Sequence, residues 1–184
     1  MSALHADALA ALTSWPAPDG VQERLRRDYV AHLREHPDAM TRGCYPDHVT
    51  ASTLILSEDA SRALLTLHAK AGAWFQVGGH CEPQDTSLVG AARREAVEES
   101  GIVDLMVDPV PVQLSAHDVP FCDPRGGTRH LDVRFVAVAP RHSQHAVSEE
   151  SLDVRWWPVD ALPTDAADVH ELVRLACERA ASRH

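Results

Sequence analysis

Residues 78–102 read GGHCEPQDTSLVGAARREAVEESGI, two glycines and a polar loop running into a helix-forming stretch. The spacing predicts a helix over residues 87–100, stopped by Gly101, a residue suited to a C-terminal cap. At about 100° per residue, Glu95 and Glu99 lie one turn apart with Glu98 beside them, so three carboxylates share an arc of roughly 100°. Their mutual repulsion costs a few tenths of a kcal/mol per pair. Glu98 and Glu99 also sit near the helix C-terminus, where the macrodipole disfavours negative charge. A sequence that tolerates both costs is expected to gather a cation. Oxygen-only ligands favour Mg²⁺ or Mn²⁺ over zinc. Arg94, one turn before Glu98, can brace the cluster, while Val89, Ala92 and Ala96 form a small apolar face that can pack on a sheet. The polar loop 79–86 opens on glycine, so its backbone can approach a ligand and a carbonyl there can complete a coordination shell. The competing reading is a solvated acidic helix face.

Working outward, residues 49–57 and 63–68 are short runs of Leu, Ile and Thr broken by the polar turn 58–61, a β-hairpin pattern. Residues 74–77 form a third extended piece leading into the glycines. Downstream, strands are expected at 131–139 and 154–157. A last helix over 165–181 carries Val169, Leu172, Val173, Ala176 and Ala180 at helical spacing. The first 40 residues read as two helices. Ala8, Leu9 and Leu12 mark the first, which ends near residues 15–18, and Val21, Leu25, Tyr29 and Leu33 form a stripe on the second. A linker with Gly43 and Pro46 follows. This order indicates an α/β (α+β) fold with a mixed sheet between helices. Residues 1–46 are read as an N-terminal helical extension and 47–184 as the main domain.

The 184-residue chain is 45% hydrophobic and 24% charged, which suits one soluble domain. Its 27 acidic against 17 basic residues give a net charge of −10. That disfavours nucleic-acid polymers and acidic membrane surfaces, but not a small anionic substrate carried by a metal ion. No signal-peptide pattern and no run of about 18 apolar residues occurs, so a cytoplasmic location is expected. Cys44, Cys81, Cys122 and Cys177 are scattered without a CxxC pair and read as reduced, structural thiols. His80, Cys81, His117, Cys122 and His130 match no compact zinc spacing, and adjacent His80 and Cys81 are awkward for one tetrahedral ion. Trp74, Trp156 and Trp157 read as core residues.

The segment resembles the Nudix box, G-x5-E-x7-R-E-U-x-E-E-x-G-U, where U is aliphatic. Arg94, Glu95, Glu98, Glu99, Gly101 and Ile102 match its second half, Ala96 stands at the first U, and Gly79 matches the opening glycine. Two departures are visible: Asp85 replaces the first glutamate, and eight residues rather than seven separate it from Arg94. The extra residue falls in the loop or helix entry, so the second half keeps its register. Residues 74–79 and 151–163 are also similar to family segments, and the resemblance covers about residues 49–181.

The resemblance implies an α/β/α sandwich with a mixed sheet. It also implies Mg²⁺- or Mn²⁺-dependent hydrolysis of a pyrophosphate bond in a nucleoside diphosphate linked to another group X. Glu98 and Glu99 would be the main metal ligands, with the Gly79 carbonyl a third contact. Glu95 would be a ligand or the base that activates water, oriented by Arg94. Glu149 or Glu150 are candidates for a further acidic ligand, with a solvated loop as the competing reading. His130, which shares a strand face with Asp132 and Arg134, and Gln76 are the candidate substrate contacts; a surface histidine is the alternative for His130. ADP-ribose, another nucleotide sugar and a nucleoside triphosphate all fit, whereas the absence of tyrosine after Tyr45 disfavours diadenosine polyphosphates. Two other functions compete. A non-catalytic nucleotide sensor of the same fold is disfavoured because the helix keeps all three glutamates. An isopentenyl-diphosphate-isomerase-like enzyme is disfavoured because its cysteine segment is not found. The N-terminal helices are left to cap the site or to form a homodimer.

Overall fold

The computed structural model describes residues 2–146 and 151–182. In chain order its elements are α1 (Ala3–Ser14), α2 (Gly20–Glu35), β1 (Asp47–Leu56), β2 (Arg62–His68), β3 (Ala73–Phe75), β4 (Val77–His80), α3 (Leu88–Ser100), β5 (Met106–Val107), β6 (Gln113–Asp118), β7 (Arg129–Val138), β8 (Ser151–Pro158) and α4 (Ala167–Ala181). Local chemistry sets the helix ends. The Asp19 carboxylate accepts from the Val21 and Gln22 amides at the start of α2, satisfying donors that the first turn leaves without partners. Ser87 does the same for Gly90 in α3, and Gly101 closes that helix in the left-handed conformation at φ 73°.

The strands form one mixed sheet among the described residues. β1 and β7 pair in parallel along their whole length, from Asp47↔Arg129 to Leu56↔Val138; the other pairings are antiparallel. The sheet forks on both sides of this central pair. The other edge of β1 is shared between β4, at Thr50–Thr53, and β2, at Ile55 and Leu56. The outer edge of β7 is shared between β6 and β5.

Helices cover both faces. One core joins Val49, Ala51, Leu131, Val133 and Phe135 of the sheet to Leu4, Ala8 and Leu12 of α1, Tyr29 and Leu33 of α2, and Leu88, Ala91 and Ala92 of α3. The N-terminal helices thus share a continuous core with the sheet. Val21, expected on the apolar stripe, is 56% exposed. The second core packs Leu54, Leu56 and Val136 against Leu172, Val173, Ala176 and Ala180 of α4. No helix among the described residues is long and apolar enough to cross a membrane.

Three features depart from the sequence reading. Gly78–His80 is strand rather than loop, because β1 supplies partners at Ser52, Ala51 and Thr50. Glycine is a poor strand former, but a Cβ on Gly78 would fall 2.2 Å from the Ser52 Cβ, so this approach of two backbones needs it. β6 was missed because its inward residues include buried Gln113 and Ser115, which hides the apolar alternation. β5 has two residues, too short for any period to register.

The consequence for function lies on the face of β1 and β7 that carries their even-numbered residues. Towards α4 it is apolar. Towards the strand N-termini it becomes polar, with His48, Thr50 and Ser52 beside His130, Asp132 and Arg134.

Candidate active site

The second half of α3 delivers its acidic residues to three different settings. Glu99 is 8% exposed, and its Oε2 accepts the Gly78 amide at 3.0 Å. Glu95 lies against the Gly79 backbone so closely that a Cβ there would meet its Oε2 at 2.7 Å. Glu98 is the open member, with 56% of its side chain exposed. Arg94 ties them together. It donates to Glu95 at 3.0 Å, to Glu98 at 2.9 Å and to the His80 carbonyl at 2.9 Å. It also grips Asp85 with two bonds of 2.9 and 3.2 Å.

Asp85 therefore fills the place of the first box glutamate as the brace of the arginine. Asp85 is itself held by a turn in which the Glu82 amide donates to it at 2.8 Å. Partial burial pushes the Asp85 carboxyl up, but the Arg94 hydrogen bonds, the Glu82 amide and the Arg94 charge together outweigh it and leave the group below its ordinary range. The Asp85 bond in turn is the main reason Arg94 holds its proton more firmly than usual.

These groups open into a cleft of about 280 Å³ lined by Arg42 and Arg94 and by Glu82, Glu95, Glu98 and Glu99, with Gly79, His80 and Cys81. Two guanidiniums face four carboxylates, so the cleft keeps excess negative charge suited to a cation. A larger hollow of about 420 Å³ opens at the β1–β2 turn, but it draws no residue from α3 or from the loop before it.

On the sheet face, Asp132 is buried and accepts from Thr50 at 3.1 Å, Ser52 at 2.7 Å, Gln76 at 3.3 Å and Arg134 at 3.0 Å. Burial pushes its carboxyl up, but Arg134 and these donors keep it below the usual range. Arg134 continues the network to Gln113 and Asp168, each at 2.9 Å. Gln76 spends its amide N–H groups on this network, while its buried Oε1 has no partner among the described residues.

His130 lies one step along the same face, within a cluster the sequence reading did not assemble. Its Nε2 is 3.4 Å from Cys122 Sγ, and Cys122 is 3.4 Å from His80 Nε2. His48 faces His80 with their Nε2 atoms 3.1 Å apart. Burial, reinforced by the neighbouring rings, holds His80 down at about 2 and His130 at about 3. Cys81 points instead into the core beside α3, and the His117 ring stands 5.8 Å from that of His130. His48 gave no signal in the sequence, since only the β1–β7 register sets it beside His130. Glu149 and Glu150 lie outside the described residues.

A family model for the NUDIX domain matches residues 46–176. The chain belongs to the NUDIX family. As a member of this family it is a hydrolase acting on acid anhydrides in phosphorus-containing substrates. Solved structures with the same Nudix fold include a C. elegans Ap4A hydrolase binary complex, at 20% identity and a TM-score of 0.62, covering 73% of this chain and 98% of that one. The E. coli dihydroneopterin triphosphate pyrophosphohydrolase matches at 20% identity and a TM-score of 0.60, covering 71% and 95%. The NUDIX domain of Shewanella oneidensis NrtR complexed with ADP ribose matches at 20% identity and a TM-score of 0.57, covering 75% and 91%. Comparison with curated proteins gives no match.

Proposed function

We propose that residues 47–184, with the helical extension of residues 1–46 packed on them, hydrolyse a pyrophosphate linkage in a nucleoside diphosphate joined to a second group X, using Mg²⁺ or Mn²⁺. The observation that carries this reading is the convergence of Glu95, Glu98 and Glu99 on one cleft around Gly79. The donor set fits a hard cation. It is all oxygen, and the missing Cβ of Gly79 lets the Glu95 carboxylate lie directly on the backbone. Glu98, Glu99, Glu95 and the Gly79 carbonyl would hold the ion. When bound, such an ion neutralises pyrophosphate oxygens and lowers the pKa of an attacking water.

The chain's own part is positioning. Arg94 fixes Glu95 and Glu98 through its fork of donors, and the Gly78 amide fixes Glu99. Glu95 is the candidate acceptor for the proton of the attacking water. The water oxygen bonds to phosphorus as the bridging P–O bond breaks, leaving two phosphate products. Gln76 supports a substrate contact on the sheet face, since its buried Oε1 lacks a partner and can accept from a ligand N–H or O–H. The named neighbours act on or bind Ap4A, dihydroneopterin triphosphate and ADP ribose; the chemistry these share is a phosphoanhydride.

The test is a panel of nucleoside diphosphate derivatives and nucleoside triphosphates incubated with Mg²⁺ or Mn²⁺, with released phosphate read after phosphatase treatment. Glu98→Gln is the decisive variant because this side chain is 56% exposed, so its loss is expected to leave the fold intact. Turnover is expected to fall at least about 100-fold with an unchanged melting temperature. Wild-type-like turnover in Glu98→Gln, or equal turnover without metal, refutes the assignment.

A further inference from the structure

The histidine–cysteine cluster beside the cleft is built from four separate segments: His48 on β1, His80 on β4, His130 on β7 and Cys122 in the β6–β7 connection. One ligand atom from each lies within 4.8 Å of all the others. A tetrahedral ion with Zn–N near 2.05 Å and Zn–S near 2.3 Å requires N···N edges of about 3.3 Å and N···S edges of about 3.6 Å. Four of the six edges are 3.1 Å for His48–His80, 3.4 Å for Cys122–His80, 3.4 Å for Cys122–His130 and 3.9 Å for Cys122–His48, and the two from His130 to the other imidazoles lie within 4.8 Å. The three imidazole rings surround one point, with centroids 4.8–5.0 Å apart.

One outer contact, behind His48, fits as well. His48 Nδ1 is 3.3 Å from the Cys44 carbonyl. That carbonyl can only accept, so Nδ1 carries the proton and Nε2 presents its lone pair to the cluster. A carbonyl behind a ligating histidine is the usual way a protein fixes the metal-binding tautomer. The donor chemistry separates this place from the box: nitrogen and sulfur here, oxygen around Gly79.

We propose that His48, His80, Cys122 and His130 form a four-coordinate site for Zn²⁺, distinct from the carboxylate site of the box and independent of the hydrolytic reading. All four positions are protein ligands, so the site is closed and its role is structural. It clips the 119–128 connection onto β1, β4 and β7 at the edge of the cleft that His80 also lines. Cys122 binds as the thiolate, its proton passing to solvent as the ion enters.

The experiment uses the full chain stripped of metal and reloaded with Zn²⁺ or Co²⁺, with metal content read by elemental analysis and coordination by visible absorption. The wild type is expected to retain about one equivalent of zinc through gel filtration. Its cobalt form should show the intense d–d bands of four-coordinate Co²⁺ and a thiolate-to-metal charge-transfer band. Cys122→Ser should lose that band and bind zinc at least about 100-fold more weakly, since loss of a supporting contact alone costs 10- to 100-fold. His48→Gln should also lose the equivalent, while Glu98→Gln should keep it. Circular dichroism of each apoprotein separates lost binding from lost folding. The proposal is overturned by unchanged stoichiometry in a folded Cys122→Ser protein, by a weak six-coordinate cobalt spectrum, or by loss of the zinc equivalent in Glu98→Gln.

Discussion

Replacing Gly79 with alanine isolates the contact on which the proposed chemistry depends. The backbone of Gly79 does not adopt positive φ, so alanine adds little backbone strain there; the added methyl instead meets the Glu95 carboxylate at 2.7, 2.8 and 2.9 Å. To regain ordinary contact at 3.4 Å the carboxylate must retreat by about 0.7 Å. It can do so because it ends a flexible side chain, but the movement breaks its alignment with Arg94, now at 3.0 Å. Misplacement of a reacting group by about 1 Å costs on the order of 100-fold in rate. Gly79→Ala is therefore expected to lower kcat/KM by about 10- to 100-fold on whichever substrate the panel identifies. Stability should change by less than about 1 kcal/mol, read by thermal melting. Gly78→Ala is the contrasting control. Its methyl would strike Ser52 Cβ at 2.2 Å and Cα at 2.5 Å from a backbone at φ 155°, so that variant should lose folding, by at least about 3 kcal/mol. Full activity in a stably folded Gly79→Ala protein would show that the Glu95–Gly79 contact has no part in the reaction.

Arg94→Lys places a single ammonium where a planar fork now spans Asp85, Glu95, Glu98 and the His80 carbonyl; kcat should fall by about 10- to 100-fold, and unchanged kcat in steady-state assays would contradict the bracing role. Arg134→Met leaves buried Asp132 without its guanidinium partner. Chemical denaturation should show a loss of about 3–5 kcal/mol, and a loss below about 1 kcal/mol would refute the account of that network. Leu12→Ala empties a fully buried position in the core that α1 shares with the sheet. Urea titration should show a single transition weakened by about 2–5 kcal/mol with kcat per folded molecule unchanged; a separate early transition would mean the N-terminal helices fold apart from the rest.

Much of the candidate site is local, and local spacing sufficed for it. Arg94, Glu95, Glu98 and Glu99 share one helix, so the 3.6-residue turn alone predicts that they meet and that Arg94 reaches Glu98, as the 2.9 Å bond bears out. The ends of α3 follow in the same way, from Ser87 and from a Gly101 able to adopt positive φ. The hairpin of β1 and β2, the terminal helix and the mixed α/β order were legible for the same reason, since each is written in a period shorter than the element itself. What needed the folded chain was register between distant strands. Nothing in the spacing of residues 48, 80, 122 and 130 brings them together; the parallel pairing of β1 with β7 and the antiparallel pairing of β1 with β4 do. The same pairing turned Gly78–His80 into strand, and buried polar side chains hid β6. Periodicity reports which face of an element is apolar, but which faces end up opposed is set by packing across the whole sheet.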